Sequence, residues 1–397
     1  MTWQQAQLKY VTRFNYGNAL PSTDEERQGL IKVFGSNGPY ARFSQANTGA
    51  PTIVIGRKGS YGKINWSDEP VFASDTTFFV DTTTTRHHLR WLFYTLQTLN
   101  LDEGSDEAAV PGLNRDKAYQ KEILIPPLSE QRAIAAYLDR ETTRLDVLIA
   151  AKEELLTLLA EKRRALISHA VTRGLNPAAP LRDSEVEWLG EIPAHWDPVR
   201  VKHLAQLGNG STPLRDNKTY WQDGTFPWLT STMVNDDIIG EPTQFVTETA
   251  LRECHLPIVQ PNSVLVAITG QGKTRGKAAV LRYPATINQH LAFISPQVNN
   301  LSPEFLQLFL TSSYEVLRVI SEGMGSTRGA LTIEQLGEFF VPVPPLAEQE
   351  QIVSTVGSMV AKIDSLIQAI EETNGLLYER RAALISAAVS GQIPVTE

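Results

Sequence analysis

Forty-six consecutive residues of this chain occur twice. Residues 126–171 read PPLSEQRAIAAYLDRETTRLDVLIAAKEELLTLLAEKRRALISHAV, and residues 344–389 read PPLAEQEQIVSTVGSMVAKIDSLIQAIEETNGLLYERRAALISAAV. Aligned without gaps at an offset of 218, the stretches agree at 22 of 46 positions. Such a duplication divides the chain into domain, repeat, domain, repeat before any other feature is considered.

Each copy reads as one long helix. Pro126-Pro127 and Pro344-Pro345 force an extended entry, because proline keeps the preceding residue out of the helical region. Ser129 is the expected cap of the first helix; Ala347 stands at that place in the second and cannot cap. Apolar residues then recur at steps of three and four. In the first copy the stripe is Ile134, Leu138, Glu141, Leu145, Leu148, Lys152, Leu155, Leu159, Lys162 and Leu166. In the second it is Ile352, Val356, Met359, Ile363, Leu366, Ile370, Thr373, Leu377, Arg380 and Leu384. That is a heptad seam with a few polar interruptions. At 1.5 Å per residue, ~40 residues make a rod of about 60 Å. Ordinary core helices average roughly 11–12 residues, so the economical reading is a coiled coil formed within the chain, each helix burying the other's stripe.

The doubled signature P-P-L-x-E-Q stands at Pro126-Pro127-Leu128-Ser129-Glu130-Gln131 and again at Pro344-Pro345-Leu346-Ala347-Glu348-Gln349. The matching helix ends run from Glu161 to Val171 and from Glu379 to Val389. With a domain of similar size ahead of each copy, this pattern resembles the specificity subunit of type I restriction–modification enzymes over nearly the whole chain. The resemblance implies an α+β fold: two β-rich target-recognition domains separated by two long antiparallel helices, with pseudo-two-fold symmetry. It implies that each domain reads one half of a split site in double-stranded DNA, the helices fixing the spacer. It implies partners too: modification (methyltransferase) subunits, two of them, docking on the helices around Leu145, Leu148, Leu159, Leu166, Ile363, Leu366, Leu377 and Leu384, and a restriction/translocase subunit joining them. S-adenosylmethionine, ATP and Mg are then expected on those partners, with no cofactor on this chain and no catalysis by it. The expected location is cytoplasmic.

The expected boundaries follow: 1–122 the first recognition domain, 123–174 the first helix, 175–343 a connector and the second domain, 344–397 the second helix and a tail. Gly174 suits a helix C-terminus and Pro177 blocks continuation. Trp3 opens a segment that resembles the one from Trp196, and EWLGEIPAH precedes only the second. Strands are predicted at 52–55, 76–80, 263–268 and 278–282, and helices at 87–100 and 303–320.

Composition alone does not point to a nucleic-acid partner, and the acidic balance favours a protein-binding scaffold. The net charge is −8. By segment it is 0 over 1–122, +1 over 123–176, −5 over 177–340 and −4 over 341–397, so no segment is a basic footprint by count. Phosphate contacts must come from local clusters or partner subunits. The single cysteine, Cys254, leaves no internal disulfide and fits a reducing compartment. No run of about 18 apolar residues is present to span a membrane.

Two glycine-rich loops carry the candidate contacts. Gly56-Arg57-Lys58-Gly59-Ser60-Tyr61-Gly62-Lys63 and Gly270-Gln271-Gly272-Lys273-Thr274-Arg275-Gly276-Lys277 fall at similar places in the two domains. Glycines let a backbone approach another surface. Lys and Arg pair with phosphates, and Arg can fork onto a guanine edge. The expected DNA contacts are therefore Arg57, Lys58, Ser60, Tyr61 and Lys63 in the first domain, and Gln271, Lys273, Thr274, Arg275 and Lys277 in the second, with Thr327 and Arg328 beyond them. Asn288-Gln289-His290 is a further candidate, and Tyr220, Trp221 and Trp228 are either core or contact. Singly, each loop is more readily a solvated turn with surface charges; the pairing, together with the family resemblance, favours DNA. GQGKT lacks the first glycine that a P-loop requires. No methyltransferase, metal-ligand or nucleophile-elbow pattern is present. The competing class is a coiled-coil scaffold for protein partners.

Overall fold

The computed structural model describes residues 3–21, 29–103, 112–270, 272–322 and 329–395. Its backbone contacts divide the chain into two units, Met1–Glu154 with Ile370–Glu397, and Leu155–Ala369.

The first unit begins with strands β1 (Gln4–Gln7), β2 (Asn15–Tyr16), β3 (Ile31–Gly35), β4 (Gly38–Phe43), β5 (Thr52–Gly56), β6 (Ile64–Ser67), β7 (Phe72–Ala73) and β8 (Thr77–Asp81). Helices α1 (Leu89–Gln97) and α2 (Arg115–Gln120) and strand β9 (Glu122–Ile125) follow, and then the long helix α3 (Leu128–Arg173), which belongs to this unit as far as Glu154 and to the second beyond it. One sheet runs β2-β8-β5-β6, a second runs β4-β3-β7, and β1 pairs antiparallel with β9. β5 and β8 are buried along their whole length. They therefore read as unbroken apolar runs rather than alternating ones. α1 covers this sheet, placing Trp91, Leu92 and Leu96 among Ile53, Ile55, Phe78 and Val80. Truncating a buried side chain as large as Trp91 costs ~3–5 kcal/mol.

The second unit continues with β10 (Leu181–Asp183), β11 (Glu191–Pro193), β12 (Asp197–Arg200), α4 (Val201–Leu204), β13 (Ala205–Asn209), α5 (Lys218–Trp221), β14 (Phe226–Leu229), β15 (Phe245–Val246) and α6 (Glu248–Glu253). It closes with β16 (Val264–Ala267), β17 (Ala278–Val280), β18 (Thr286–Ile287), β19 (Leu291–Pro296), α7 (Pro303–Ser312), α8 (Tyr314–Glu322), α9 (Ile333–Glu338), β20 (Phe340–Val343) and α10 (Leu346–Val389), whose residues from Ile370 on belong to the first unit. Its sheets are β13-β19-β16-β17, β15-β14-β18 and β12-β20. Strand for strand this is the first unit's topology. Even the parallel pairing of β3 with β7 returns as β14 with β18. The extra segment EWLGEIPAH ahead of the second copy contains β11, which pairs with β10 in a hairpin.

Three expectations need correction. The predicted helix 303–320 is two helices, interrupted at Ser313, whose carbonyl accepts from the Leu317 amide at 3.0 Å. α3 begins at Leu128, and the Gln131 amide bonds the Pro127 carbonyl at 2.9 Å. Pro127 thus holds the cap position and Ser129 lies inside the first turn. The seam is also displaced by one residue at every second position. Thr142 and Ile149 point inward on α3 where Glu141 and Leu148 were expected; Asn374 does so on α10 in place of Thr373. Leu148 is 44% exposed and Leu366 55% exposed. Ile363 and Leu377 are buried, and Leu145, Leu159, Leu166 and Leu384 half-buried. Both stripes satisfy a 3.5-residue repeat, because adjacent apolar pairs such as Leu148-Ile149 and Leu155-Leu156 offer two partners to the same heptad position.

The repeated signature is a clamp, built the same way in each unit. Trp3 Nε1 donates to Glu130 Oε2 at 2.9 Å, and Trp196 Nε1 donates to Glu348 Oε2 at 3.1 Å. Gln131 donates to the Pro126 carbonyl at 2.9 Å and accepts from the His88 amide at 2.8 Å. Gln349 donates to the Pro344 carbonyl at 2.9 Å and accepts from the Ser302 amide at 2.8 Å. Each long helix is thereby fixed to its β-domain at its first turn. The helices meet through repeat-equivalent ion pairs, Asp146–Arg381 at 2.8 Å in the first unit and Arg163–Asp364 at 3.0 Å in the second. Half-exposed pairs of this kind contribute ~0–1 kcal/mol and serve register more than stability. α3 ends at Gly174, whose φ of +74° is open to glycine. A Cβ there would lie 3.2 Å from the Trp196 ring.

Candidate nucleic-acid interface

In each unit three loops and the segment ahead of a short helix converge, tied by the same backbone bonds. In the first unit, the Asn18 amide bonds the Ala73 carbonyl at 3.0 Å, Arg57 bonds Thr76 at 2.8 Å, and Leu113 bonds Arg57 at 2.8 Å. In the second, Ser211 bonds Ile287 at 3.0 Å, Ile268 bonds His290 at 3.0 Å, and Leu331 bonds Ile268 at 2.8 Å. The β5–β6 loop, the β7–β8 turn and the segment after β2 therefore correspond to the β16–β17 loop, the β18–β19 turn and the segment after β13. The close approach demands glycine. A Cβ on Gly17 would lie 1.9 Å from the Ser74 carbonyl oxygen, and one on Gly210 1.8 Å from that of Ile287. The two glycine-rich loops do occupy equivalent places.

Their side chains sort into tips and braces. In the first unit Lys58 and Ser60 are exposed and Tyr61 is half-buried. Lys63 donates to Asn37 Oδ1 at 2.8 Å, and its counterpart Lys277 donates to Asn235 Oδ1 at 3.2 Å. Arg57 donates through Nη2 to the Asp75 carbonyl at 2.9 Å and lies over the Tyr16 ring at 5.4 Å. In the second unit Lys273 is exposed and Thr274 half-buried. Arg275 departs from expectation: it is 3% exposed, and its guanidinium is held by Glu322 at 2.8 Å. It braces the loop from within instead of presenting a free cation. Gln271, Thr327 and Arg328 lie outside the described residues.

Sequence reasoning missed the second brace, helix α8. Tyr314 donates its hydroxyl to the Lys273 carbonyl at 2.8 Å, and Arg318 donates to that of Gly272 at 2.8 Å. Nothing in a loop's own residues announces such a support. It also missed Tyr16, Arg115 and Arg215. Arg115 lies over Tyr16 at 5.2 Å. Arg215 lies over Trp221 at 4.1 Å and Trp228 at 4.6 Å; an Arg six residues before a Trp was the available signal. Trp228 itself is core, packed with Val246, Ala250 and Leu256. At the β18–β19 turn, buried Asn288 accepts from the His290 amide at 3.0 Å and is structural. Gln289 and His290 are exposed and joined to Thr212 and Thr269 by hydrogen bonds.

A family model described as the type I restriction modification DNA specificity domain matches residues 1–157 and again 193–373. The chain belongs to this family. It is 22% identical over 353 residues to the EcoBI specificity subunit of Escherichia coli, covering 86% of this chain and 73% of that protein. It is 31% identical over 193 residues to the MjaIX specificity subunit of Methanocaldococcus jannaschii, covering 48% and 42%. It is 23% identical over 290 residues to the EcoR124I/EcoR124II specificity subunit of Escherichia coli, covering 72% and 65%. Among solved structures, a chain from work on assembly and conformational transition of the type I R-M system is similar in fold. Its TM-score is 0.73 at 17% identity, covering 99% of this chain and 98% of that one. The HsdS subunit from Thermoanaerobacter tengcongensis has a TM-score of 0.53 at 18% identity, covering 99% and 97%. The family member therefore carries two copies of the specificity domain, one per unit. Among the described residues no group of three or more His, Cys, Asp or Glu is placed to hold a metal ion. Among them no helix is long and apolar enough to cross a membrane.

Proposed function

We propose that this chain is the DNA-reading subunit of a type I restriction–modification assembly, each unit's three-loop face reading one half of a bipartite double-stranded site. The observation that carries the reading is the repetition of one backbone face, with the same four-segment construction, on two clamped helices within a family of DNA specificity domains. The exposed cations Lys58 and Lys273 at the loop tips neutralise phosphates. The length of α3 and α10 sets the number of unread base pairs. Leu148 and Leu366, exposed on these helices, belong to docking surfaces for modification subunits, two per chain. Those subunits and a translocating restriction subunit carry S-adenosylmethionine, ATP and Mg, and the chemistry, in the cytoplasm. An acidic chain needs such help, since its −8 charge opposes unaided approach to DNA.

The test is selection from a random-sequence DNA library by the purified chain, alone and with its modification subunit, at two salt concentrations. A split motif with a fixed spacer is expected, and stronger enrichment with the partner. Failure to enrich in either case would move the reading to a protein-interaction scaffold. Removing one heptad from each helix should shorten the preferred spacer and leave both half-motifs intact; an unchanged spacer would refute the role given to helix length.

A further inference from the structure

The two units share this face's backbone but not its side chains. Where the first has Arg57, the second has Ile268. Arg115 follows the cap Asn114 as Ile333 follows the cap Thr332. Tyr16 precedes Gly17 as Asn209 precedes Gly210. In the first unit alone, then, two guanidinium groups lie over one ring, at 5.4 and 5.2 Å from its centre. Tyr16 is 51% exposed and is propped from below by Phe78, edge-on at 4.9 Å.

This arrangement is incomplete by itself. Two cations gathered on one ring repel each other. Among the described residues, the carboxylate within ion-pair reach is that of Asp116, 4.0 Å from Arg115 and largely solvated. The Nε groups of both arginines are buried, so the donors left for a ligand are the outer Nη groups. Arg57 commits one donor to the Asp75 carbonyl, and most of its fork is unused. An acceptor-rich ligand completes such a pair. A phosphate is served as well by Lys58, which is exposed on the same loop. Holding a guanidinium in a set plane, by ring stacking and a carbonyl bond, matters only for a ligand with directional acceptors. In a duplex that ligand is the N7/O6 edge of guanine in the major groove.

We propose that Arg57 and Arg115, oriented by Tyr16, read a guanine in the half-site recognised by the first unit. The proposal rests on the DNA-recognition reading above. The experiment is the same library selection, run with full-length chain and its modification subunit on wild type, Arg57→Lys with Arg115→Lys, and Tyr16→Leu. Wild type should enrich guanine at a fixed position of one half-site. The double lysine variant keeps both charges but loses the fork. It should weaken that preference roughly 10-fold to 100-fold while leaving the other half-site unchanged. Tyr16→Leu should weaken it in the same direction. Retained selection at the remaining positions of the first half-site reports that the first unit of the variant is folded. Retention of the guanine by both variants would overturn the assignment, as would a loss spread evenly over all sequences, the mark of a phosphate contact. If wild type enriches no split motif, the DNA-recognition reading itself falls, and this assignment with it.

Discussion

Replacing Gln349 by Leu tests whether the doubled signature is a clamp or merely a helix start. Gln349 is fully buried. Its amide donates to the carbonyls of Pro344 and Asn300, both at 2.9 Å, and its carbonyl accepts from the Ser302 amide at 2.8 Å. Leucine fills nearly the same volume, so the packing change is small and the polar loss dominates. Asn300 is exposed and its carbonyl can turn to water. The Pro344 carbonyl and the Ser302 amide cannot do so freely. Each buried group left unpaired costs ~1–3 kcal/mol, so the variant should lose about 3 kcal/mol. Gln349→Glu should lose more, because it sets a carboxylate against two carbonyls. The measurement is guanidinium unfolding followed by tryptophan fluorescence and far-UV circular dichroism; buried Trp196, bonded to Glu348, reports the clamp. A destabilisation below about 1 kcal/mol would refute the argument, since it would mean that these bonds are replaced at no cost on unfolding the clamp.

Ile149→Ala should cost ~2–4 kcal/mol and Leu148→Ala less than about 0.5 kcal/mol, because only Ile149 is buried; the reverse order in thermal unfolding would restore the seam read from periodicity. Lys58→Ala with Lys273→Ala should lower affinity for every DNA sequence and reduce the salt slope by about 2, with the motif unchanged; a salt titration of binding checks this. Arg275→Ala should instead lower stability, because it empties the buried place of a 3%-exposed side chain that ties the loop to Glu322; an unchanged unfolding midpoint would argue against it. Burial, with the Arg86 charge beside His87 and the Arg132 charge beside His88, holds both histidines below their ordinary 6.5. The folded form then binds fewer protons than the unfolded one, so stability is full above about pH 6.5 and falls as pH drops below it. His87→Asn with His88→Asn should flatten that slope between pH 7 and 5.

The long helices, the domain order and the pairing of the glycine-rich loops were legible because each rests on periodicity or repetition along the chain. What was not legible rests on contacts that join distant residues. The seam illustrates this: Leu148 and Ile149 satisfy the period equally, and only the partner helix selects between them. Arg275 illustrates it again. As a residue of a loop rich in Lys and Thr it reads as a free cation, yet Glu322, 47 residues away, takes it into the interior. The Ser129 cap was displaced because the Pro127 carbonyl already begins the helix, which local propensity cannot reveal.

The internal comparison separates scaffold from reader without reference to any other protein. Equivalent positions that hold the units together are the same residue twice: Trp3 and Trp196, Glu130 and Glu348, Gln131 and Gln349, Asp146 and Asp364, Arg163 and Arg381, Lys63 and Lys277 with their asparagine partners. Equivalent positions on the three-loop face differ in kind: Arg57 against Ile268, Arg115 against Ile333, Tyr16 against Asn209. A face whose task was to bind a common partner twice would keep its chemistry as the clamp does. Divergence in kind on the face, on a backbone approach that Gly17 and Gly210 keep in both units, is what two readers of unlike sequences require. The second face has isoleucines at the places of Arg57 and Arg115, and its exposed polar side chains, Gln289 and His290, stand at the β18–β19 turn instead. Amide side chains suit an adenine edge as guanidinium suits guanine, so the two half-sites should differ in composition. A perfectly palindromic split site from the library selection would contradict that.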